Sequence, residues 1–313
     1  MPAIYASAPG KIILFGEHAV VYGRPAVAVP VTQVKARAVI TPNPLSSAGV
    51  VQIDAPDVEL RTSLDQLRDD HPLKIAIQGV FSTLNISKPP SLTIRITSTI
   101  PLASGLGSGA AVSVAIVRAL SAFLGKPLPD ELVSDLAYQV EKAYHGTPSG
   151  IDNTVITYAK PIFFVRGQSI QFIEVKKPFT ILIGDTGVKS RTAEVVGAVR
   201  HRWQAEPAPY EQLFDEIGAV ARESQKAVQS GEPGEVGPLM NRNHALLQKL
   251  GVSSPELDRL VSAALEAGAD GSKLSGAGWG GNMIAIAGSE KALEVEKAII
   301  AAGASGTIVT TVG

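Results

Sequence analysis

No cysteine occurs anywhere in the sequence. Disulfides, thiolate metal sites and a cysteine nucleophile are excluded together, and a reducing cytoplasm is the compartment this composition fits. An excess of one charge is also missing. The 28 Lys and Arg against 29 Asp and Glu leave a formal net charge of −1, so nothing electrostatic draws the chain to nucleic acid or to an anionic membrane. The most apolar stretch, Ala110–Leu124, carries Arg118 and falls short of the roughly 20 residues that span a bilayer. The segment MPAIYASAPGKIILFGEH has no basic n-region, and Lys11, Glu17 and His18 interrupt its apolar part, so no secretory signal is expected. The phosphate-loop pattern GxxxxGK followed by Ser or Thr is absent too, which removes the commonest nucleotide-binding loop.

What is present is ordinary globular chemistry. With 313 residues, 45% of them hydrophobic and 18% charged, one or two domains with a substantial core are expected. Strand-like runs at Tyr5–Ala8, Ala26–Val31, Lys35–Ile40 and Leu92–Ile96 dominate the first half, with helical patterns at Leu73–Leu84, Ala110–Leu124 and Asp130–Tyr144. Extended runs at Ile156–Val165 and Ile170–Val175 lead to Lys176-Lys177-Pro178, the expected boundary between two lobes, 1–176 and 177–313. The second half reads as a strand at Phe179–Gly184 and helices around Arg191–Trp203, Tyr210–Gln229, Leu239–Leu250 and Pro255–Glu266. It closes with strand, helix and strand at Met283–Ala287, Glu290–Ala301 and Gly306–Val312. Strands and helices interleave without strict alternation, which favours an α+β fold over a doubly wound sheet.

Four segments carry candidate chemistry. PLASGLGSGAA, Pro101–Ala111, lies between an alternating strand and a long apolar helix. A glycine-rich turn that opens a helix offers backbone N–H groups and the positive helix end to an anion. Around Ala8–Gly23, Lys11, Glu17 and His18 punctuate an otherwise apolar run; charge near buried backbone needs a partner or a ligand. In EKAYHGTPSGIDN, Glu141 and His145 share one helix face, and Gly146, Pro148 and Gly150 break the helix and present Asp152 in a turn. Two carboxylates brought together in this way suit a Mg²⁺ ligand plus a base. In KLSGAGWGGN, Gly276, Gly278 and Gly281 match GxGxxG, but they lead into a strand, NMIAIAG, rather than a helix. The dinucleotide reading therefore fails.

Together these segments resemble the GHMP small-molecule kinase family, with its three motifs in the family's order over nearly the whole chain. GEHAVVYGRPA, HGTPSGIDN, DTGVKSRTAE and NHALLQKLGVSSPELDRL are similar to the members that phosphorylate mevalonate. The resemblance implies two lobes: an N-terminal one like ribosomal protein S5 domain 2 and a ferredoxin-like C-terminal one. It implies ATP and Mg²⁺ as cofactors, and transfer of the γ-phosphoryl group to the C5 hydroxyl of mevalonate in isoprenoid synthesis. The ATP loop is then Pro101, Leu102, Ala103, Ser104, Gly105, Leu106, Gly107, Ser108, Gly109, Ala110 and Ala111. Glu141 and Ser108 are the implied metal ligands. Asp152 matches the family's catalytic aspartate and Lys11 the lysine beside it, while Glu17, His18 and Thr186 fall where the acceptor is touched. A homodimer is one assembly the resemblance allows.

Three residues depart from the family pattern. Gly109 stands where a second serine is usual, Trp279 where the third motif usually has glycine, and Asn282 in place of a small or thiol residue. Two other kinase readings stay open: phosphomevalonate, for which Lys189 and Arg191 are candidate extra cations, and homoserine. A non-catalytic ligand sensor on the same fold is a third.

Overall fold

The computed structural model describes the chain except Met1, Leu45, Ser46, Ala48, Leu102, Ala103, Gly146 and Thr147, with backbone alone at Tyr144, His145 and Pro233. Two compact units form, and neither is continuous in sequence. The first comprises residues 1–10, 34–102 and 107–159; the second comprises 11–33, 103–106 and 160–313. The expected boundary at 176 falls inside the second unit. Two long strands explain this, because β1 (Ile4–Phe15) and β2 (Ala26–Pro42) each contribute residues to both units. The sequence shows β2 as two short runs and β1 only as Tyr5–Ala8.

In the first unit, β3 (Val51–Ala55), β4 (Leu60–Ser63) and β5 (Leu92–Ser98) join the second half of β2 in the order β4-β3-β5-β2. β5 runs antiparallel to β2 and parallel to β3. Four helices pack together here: α1 (Pro72–Thr83), α2 (Ser108–Phe123), α3 (Asp130–His145) and α4 (Ile151–Tyr158). α2 is apolar nearly all round, as a helix buried among others must be, and its Ala, Ser and Gly residues let neighbours approach closely. Its one charge, Arg118, bonds Asp130 at 2.6 Å and the Thr157 carbonyl at 2.6 Å, which ties α2 to α3 and α4.

The second unit holds β6 (Ile162–Phe164) and β7 (Gln171–Phe172), with β6 paired to Ala26–Ala28 of β2. A four-stranded antiparallel sheet follows, from β8 (Phe179–Asp185), β9 (Gly271–Ser275), β10 (Asn282–Ile286) and β11 (Gly306–Val312) in the order β11-β8-β10-β9. Between β8 and β9 come α5 (Thr192–Ala205), α6 (Pro207–Ser230), α7 (Pro233–Lys249) and α8 (Pro255–Glu266); α9 (Ala292–Ala301) precedes β11. That strand order, with helices between its first and last pairs, is the ferredoxin-like arrangement, as expected. α8 starts where its sequence says it should: the Ser254 hydroxyl accepts from the Leu257 N–H and Pro255 fills the first helical position.

Two sequence expectations need correction. Ile156–Val165 is not one extended run, because α4 covers Ile151–Tyr158 and only Ile162–Phe164 is strand. Asp152 accordingly sits in the first turn of α4 rather than in a turn after α3. The β-branched Ile, Thr and Val residues favour a strand, but tertiary ties override them. Asn153 Nδ2 donates to Ser134 Oγ of α3 at 2.9 Å, and within α4 itself Thr154 Oγ1 donates back to the Gly150 carbonyl at 2.7 Å.

Gly16 is the tightest backbone approach at the end of β1. Its φ is +96°, and a Cβ there would lie 2.5 Å from both the Ala26 Cα and the Pro25 oxygen. Neither obstacle is a flexible side chain. Gly16→Ala is expected to lower the unfolding free energy by about 3 kcal/mol or more, read from the urea midpoint.

Candidate active site

In the first unit, Gly107 takes φ +75° and caps α2. The first bond of the helix runs from the Ala111 N–H to the Gly107 carbonyl at 3.0 Å. The N–H groups of Ser108, Gly109 and Ala110 therefore form the positive end of a 16-residue helix. Glu141, 8% exposed on α3, faces this turn: a Cβ placed on Gly109 would lie 3.5 Å from Glu141 Oε1. The hydroxyl that the family carries at this position would thus stand beside Glu141. Among the described residues no three His, Asp or Glu gather as a metal cluster. One carboxylate beside a helix N-terminus is the donor set that suits Mg²⁺ carried in with phosphate oxygens. In this same unit Asp152 lies in the first turn of α4, which Gly150 caps with φ +93°. Pro101 and Gly107–Ala111 belong to this unit. Leu102 and Ala103 lie outside the described residues.

The second unit holds the other half of the loop. The Lys11 N–H donates to the Leu106 carbonyl at 3.0 Å, and Asn282 Nδ2 donates to the Ser104 carbonyl. The departure at 282 thus ties the loop to the start of β10. Lys11 itself is 5% exposed on β1. Thr186, just after β8, donates its hydroxyl to the Gly281 carbonyl at 2.9 Å and accepts from the Val188 N–H at 3.2 Å. Lys189 and Arg191 are exposed, and Arg191 pairs with Glu194 at 3.1 Å.

Glu17 and His18 occupy an unusual turn. His18 has φ +59° and ψ −51°, and the Ala19 N–H reaches back to the Glu17 carbonyl at 2.6 Å. This is a γ-turn of the rare φ-positive kind, a strained conformation that costs about 1–3 kcal/mol. Side chains hold it from both flanks. Glu17 and Lys273 form an ion pair with both side chains 0% exposed, and Asn243 Nδ2 donates to the second Glu17 oxygen at 3.1 Å. Burial pushes the Lys273 ammonium down, and Glu17 opposes that shift. Both Glu17 carboxylate oxygens are thus bonded inside the protein, one to Lys273 and one to Asn243.

His18 Nε2 lies 2.8 Å from the Ala277 carbonyl. A carbonyl only accepts, so the proton is on Nε2 and Nδ1 keeps its lone pair. Burial, with the nearby Arg202 charge, lowers this imidazole to about 4. His18 is therefore a neutral acceptor at physiological pH.

Trp279 follows in the glycine-rich turn with φ +53°. Its indole N–H donates to the Gly251 carbonyl at 3.0 Å and its backbone N–H to the Val252 carbonyl at 2.9 Å. Gly278 is obligatory beside it, because a Cβ there would collide with the Val252 oxygen. The indole, 39% exposed, braces the turn after α7. Sequence reasoning missed Lys273, Asn243 and Arg202. A lone lysine inside the buried strand GSKLS was the available signal.

Residues 73–160 match the model of the GHMP kinases N terminal domain, and 224–305 match that of the GHMP kinases C terminal domain. A mevalonate kinase from Thermococcus sibiricus is 37% identical over 96% of this chain and 93% of its own. One from Saccharolobus solfataricus is 32% identical over 94% and 91%. The crystal structure of L. major mevalonate kinase in complex with R-mevalonate matches with TM-score 0.84 and 32% identity, covering 98% of this chain and 95% of that one. A Streptococcus pneumoniae phosphomevalonate kinase shares the fold, with TM-score 0.83 at 17% identity over 99% of this chain and 100% of that one.

Because His18 titrates near 4 when folded and near 6.5 when unfolded, the unfolded chain binds the extra proton between those values. Its contribution to stability is full above pH 6.5 and is lost as the pH falls to about 4, by about 3 kcal/mol. His18→Asn, which tolerates positive φ, is expected to flatten that part of the curve. Denaturant midpoints of both proteins across pH 4–7 check it.

Proposed function

The chain belongs to the GHMP kinase family, and we infer that it transfers the γ-phosphoryl group of ATP to the C5 hydroxyl of mevalonate. The observation that carries this is Glu141 beside the N-terminal turn of α2, with Oε1 3.5 Å from where a Cβ of residue 109 would lie. This places a carboxylate next to a helix end suited to phosphate. The choice of acceptor rests on the relatives, whose identity extends over nearly the full chain.

Pro101–Ala111 cradles the ATP phosphates. Glu141 and Ser108 would hold Mg²⁺, which would supply charge neutralisation on the phosphate oxygens. Transfer proceeds through a loose transition state, so orientation and electrostatics carry most of the rate. Asp152 accepts the acceptor's hydroxyl proton or steers it. Lys11 balances negative charge on the group in transfer, and His18 Nδ1 accepts from an acceptor hydroxyl. Thr186 lines the acceptor end. The exposed Lys189 and Arg191 give no buried cationic cradle for a second phosphate, which favours mevalonate over phosphomevalonate. The cysteine-free composition supports a cytoplasmic setting for the reaction.

A coupled ADP-release assay across mevalonate, phosphomevalonate, homoserine and galactose tests the acceptor. Turnover is expected with mevalonate, and its absence would refute the reading. Asp152→Asn is expected to lower kcat by about 10²–10⁴-fold while nucleotide affinity stays near wild type. Gly109→Ser has room for its Cβ, restores a hydroxyl near Glu141 and removes a glycine from a helix. It is expected to lower the half-saturating Mg²⁺ concentration several-fold and raise the thermal midpoint, both measurable on one preparation.

A further inference from the structure

We propose that Lys273, with Asn243, positions the acceptor-binding end of this kinase: it holds the Glu17 carboxylate, and through it the γ-turn that presents His18. The proposal rests on the acceptor reading above for its consequence, but its geometry stands apart from it. Lys273 is on β9, and Ala277 lies four residues later in the glycine-rich turn. One short segment therefore grips the side chains of both Glu17 and His18. Lys273 Nζ also donates to the Leu274 carbonyl at 2.6 Å, which fixes the ammonium from its own strand. On the far side, Asn243 projects from α7 onto the other Glu17 oxygen. Its neighbour His244 accepts from the Leu274 N–H at 3.3 Å and pairs with Asp258 at 3.1 Å, anchoring α7 to β9.

A pair buried this completely is a poor way to gain stability, because desolvating two charges offsets their attraction. Apolar residues of equal volume would fill the same space. What the pair supplies instead is a fixed direction. The carboxylate must point at Lys273 and Asn243, so the Glu17 backbone cannot rotate, and the strained φ of His18 cannot relax without uncoupling the pair. A relaxed His18 would lose its Ala277 carbonyl and with it the tautomer that leaves Nδ1 as an acceptor. Lys273 touches no reactant and acts through Glu17.

The test separates positioning from mere support. Lys273→Met alone leaves a buried unpaired carboxylate and is expected to lower the thermal midpoint sharply. The double variant E17Q/K273M removes both charges at similar volume and is expected to recover most of that loss. It should still show KM for mevalonate raised about ten- to a hundred-fold, with KM for ATP unchanged. Asn243→Ala, which keeps the ion pair, is expected to show a smaller rise of the same kind. It decides the matter if the double variant does not fold. A readout independent of turnover is the ¹⁵N titration of the imidazoles: the His18 ring, near 4 in the wild type, should move toward 6.5 in these variants. Variants that fold with wild-type KM and an unmoved His18 titration would overturn the proposal. A wild-type protein inert toward mevalonate would refute the acceptor reading instead, while the His18 titration would still judge the clamp.

Discussion

A carboxylate and an ammonium, both withdrawn completely from water, set the terms for the rest of this molecule. Glu17 and Lys273 are 256 residues apart. A buried charge without its partner is intolerable, so every element that brings the two together is constrained. β1 must end at Gly16, whose contact with Ala26 admits no side chain. β9 must place Lys273 inward, and α7 must present Asn243 to the remaining oxygen. The strained His18 turn is a consequence of this arrangement and not an accident beside it.

The two units divide the chemistry by residue type. The first carries an anion-seeking helix end with acidic groups near helix starts and on a facing helix, a pattern made by Gly107, Gly150 and the close packing of α2 against α3. The second carries the neutral histidine, the buried lysines and a glycine-rich turn whose backbone is bonded at nearly every position. Trp279 fits this description: its indole N–H and its backbone N–H both serve the 251–252 turn, so a large residue at a family glycine position acts as a brace. Asn282 does similar work for Ser104.

Much of this was legible in the sequence. The ferredoxin-like lobe was implied by the family resemblance, while the strand patterns alone showed β8, β10 and β11 and passed over β9; the loop, Glu141 and Asp152 stood out by their glycines and spacing. What escaped notice escaped for physical reasons. α4 is rich in β-branched residues, and its helical state depends on Asn153 reaching Ser134, a contact no local pattern encodes. The expected cut at 176 did not reckon with the length of β1 and β2: β1 reads only as the short run Tyr5–Ala8, and β2 as two short runs, Ala26–Val31 and Lys35–Ile40. Lys273 looked like one more polar residue near a glycine motif, because a buried pair is visible only once both partners are placed. The role of Gly109 depended on the distance to Glu141, 32 positions away along the chain.

The interleaving of the units bears on how the chain is made. Residues 11–33 emerge early, yet the unit they join is completed only by residues beyond 160. At roughly 5–20 residues per second, Glu17 waits on the order of ten to fifty seconds for Lys273 to be synthesised. Through that interval the GEHAVVYG segment has its charge and no counterion, so it stays hydrated and open while the first unit's α1–α4 cluster can already condense. The turn at Glu17 and His18 is then closed late in translation, once Lys273 has emerged, and the helix that begins at Ser108 can pack much earlier.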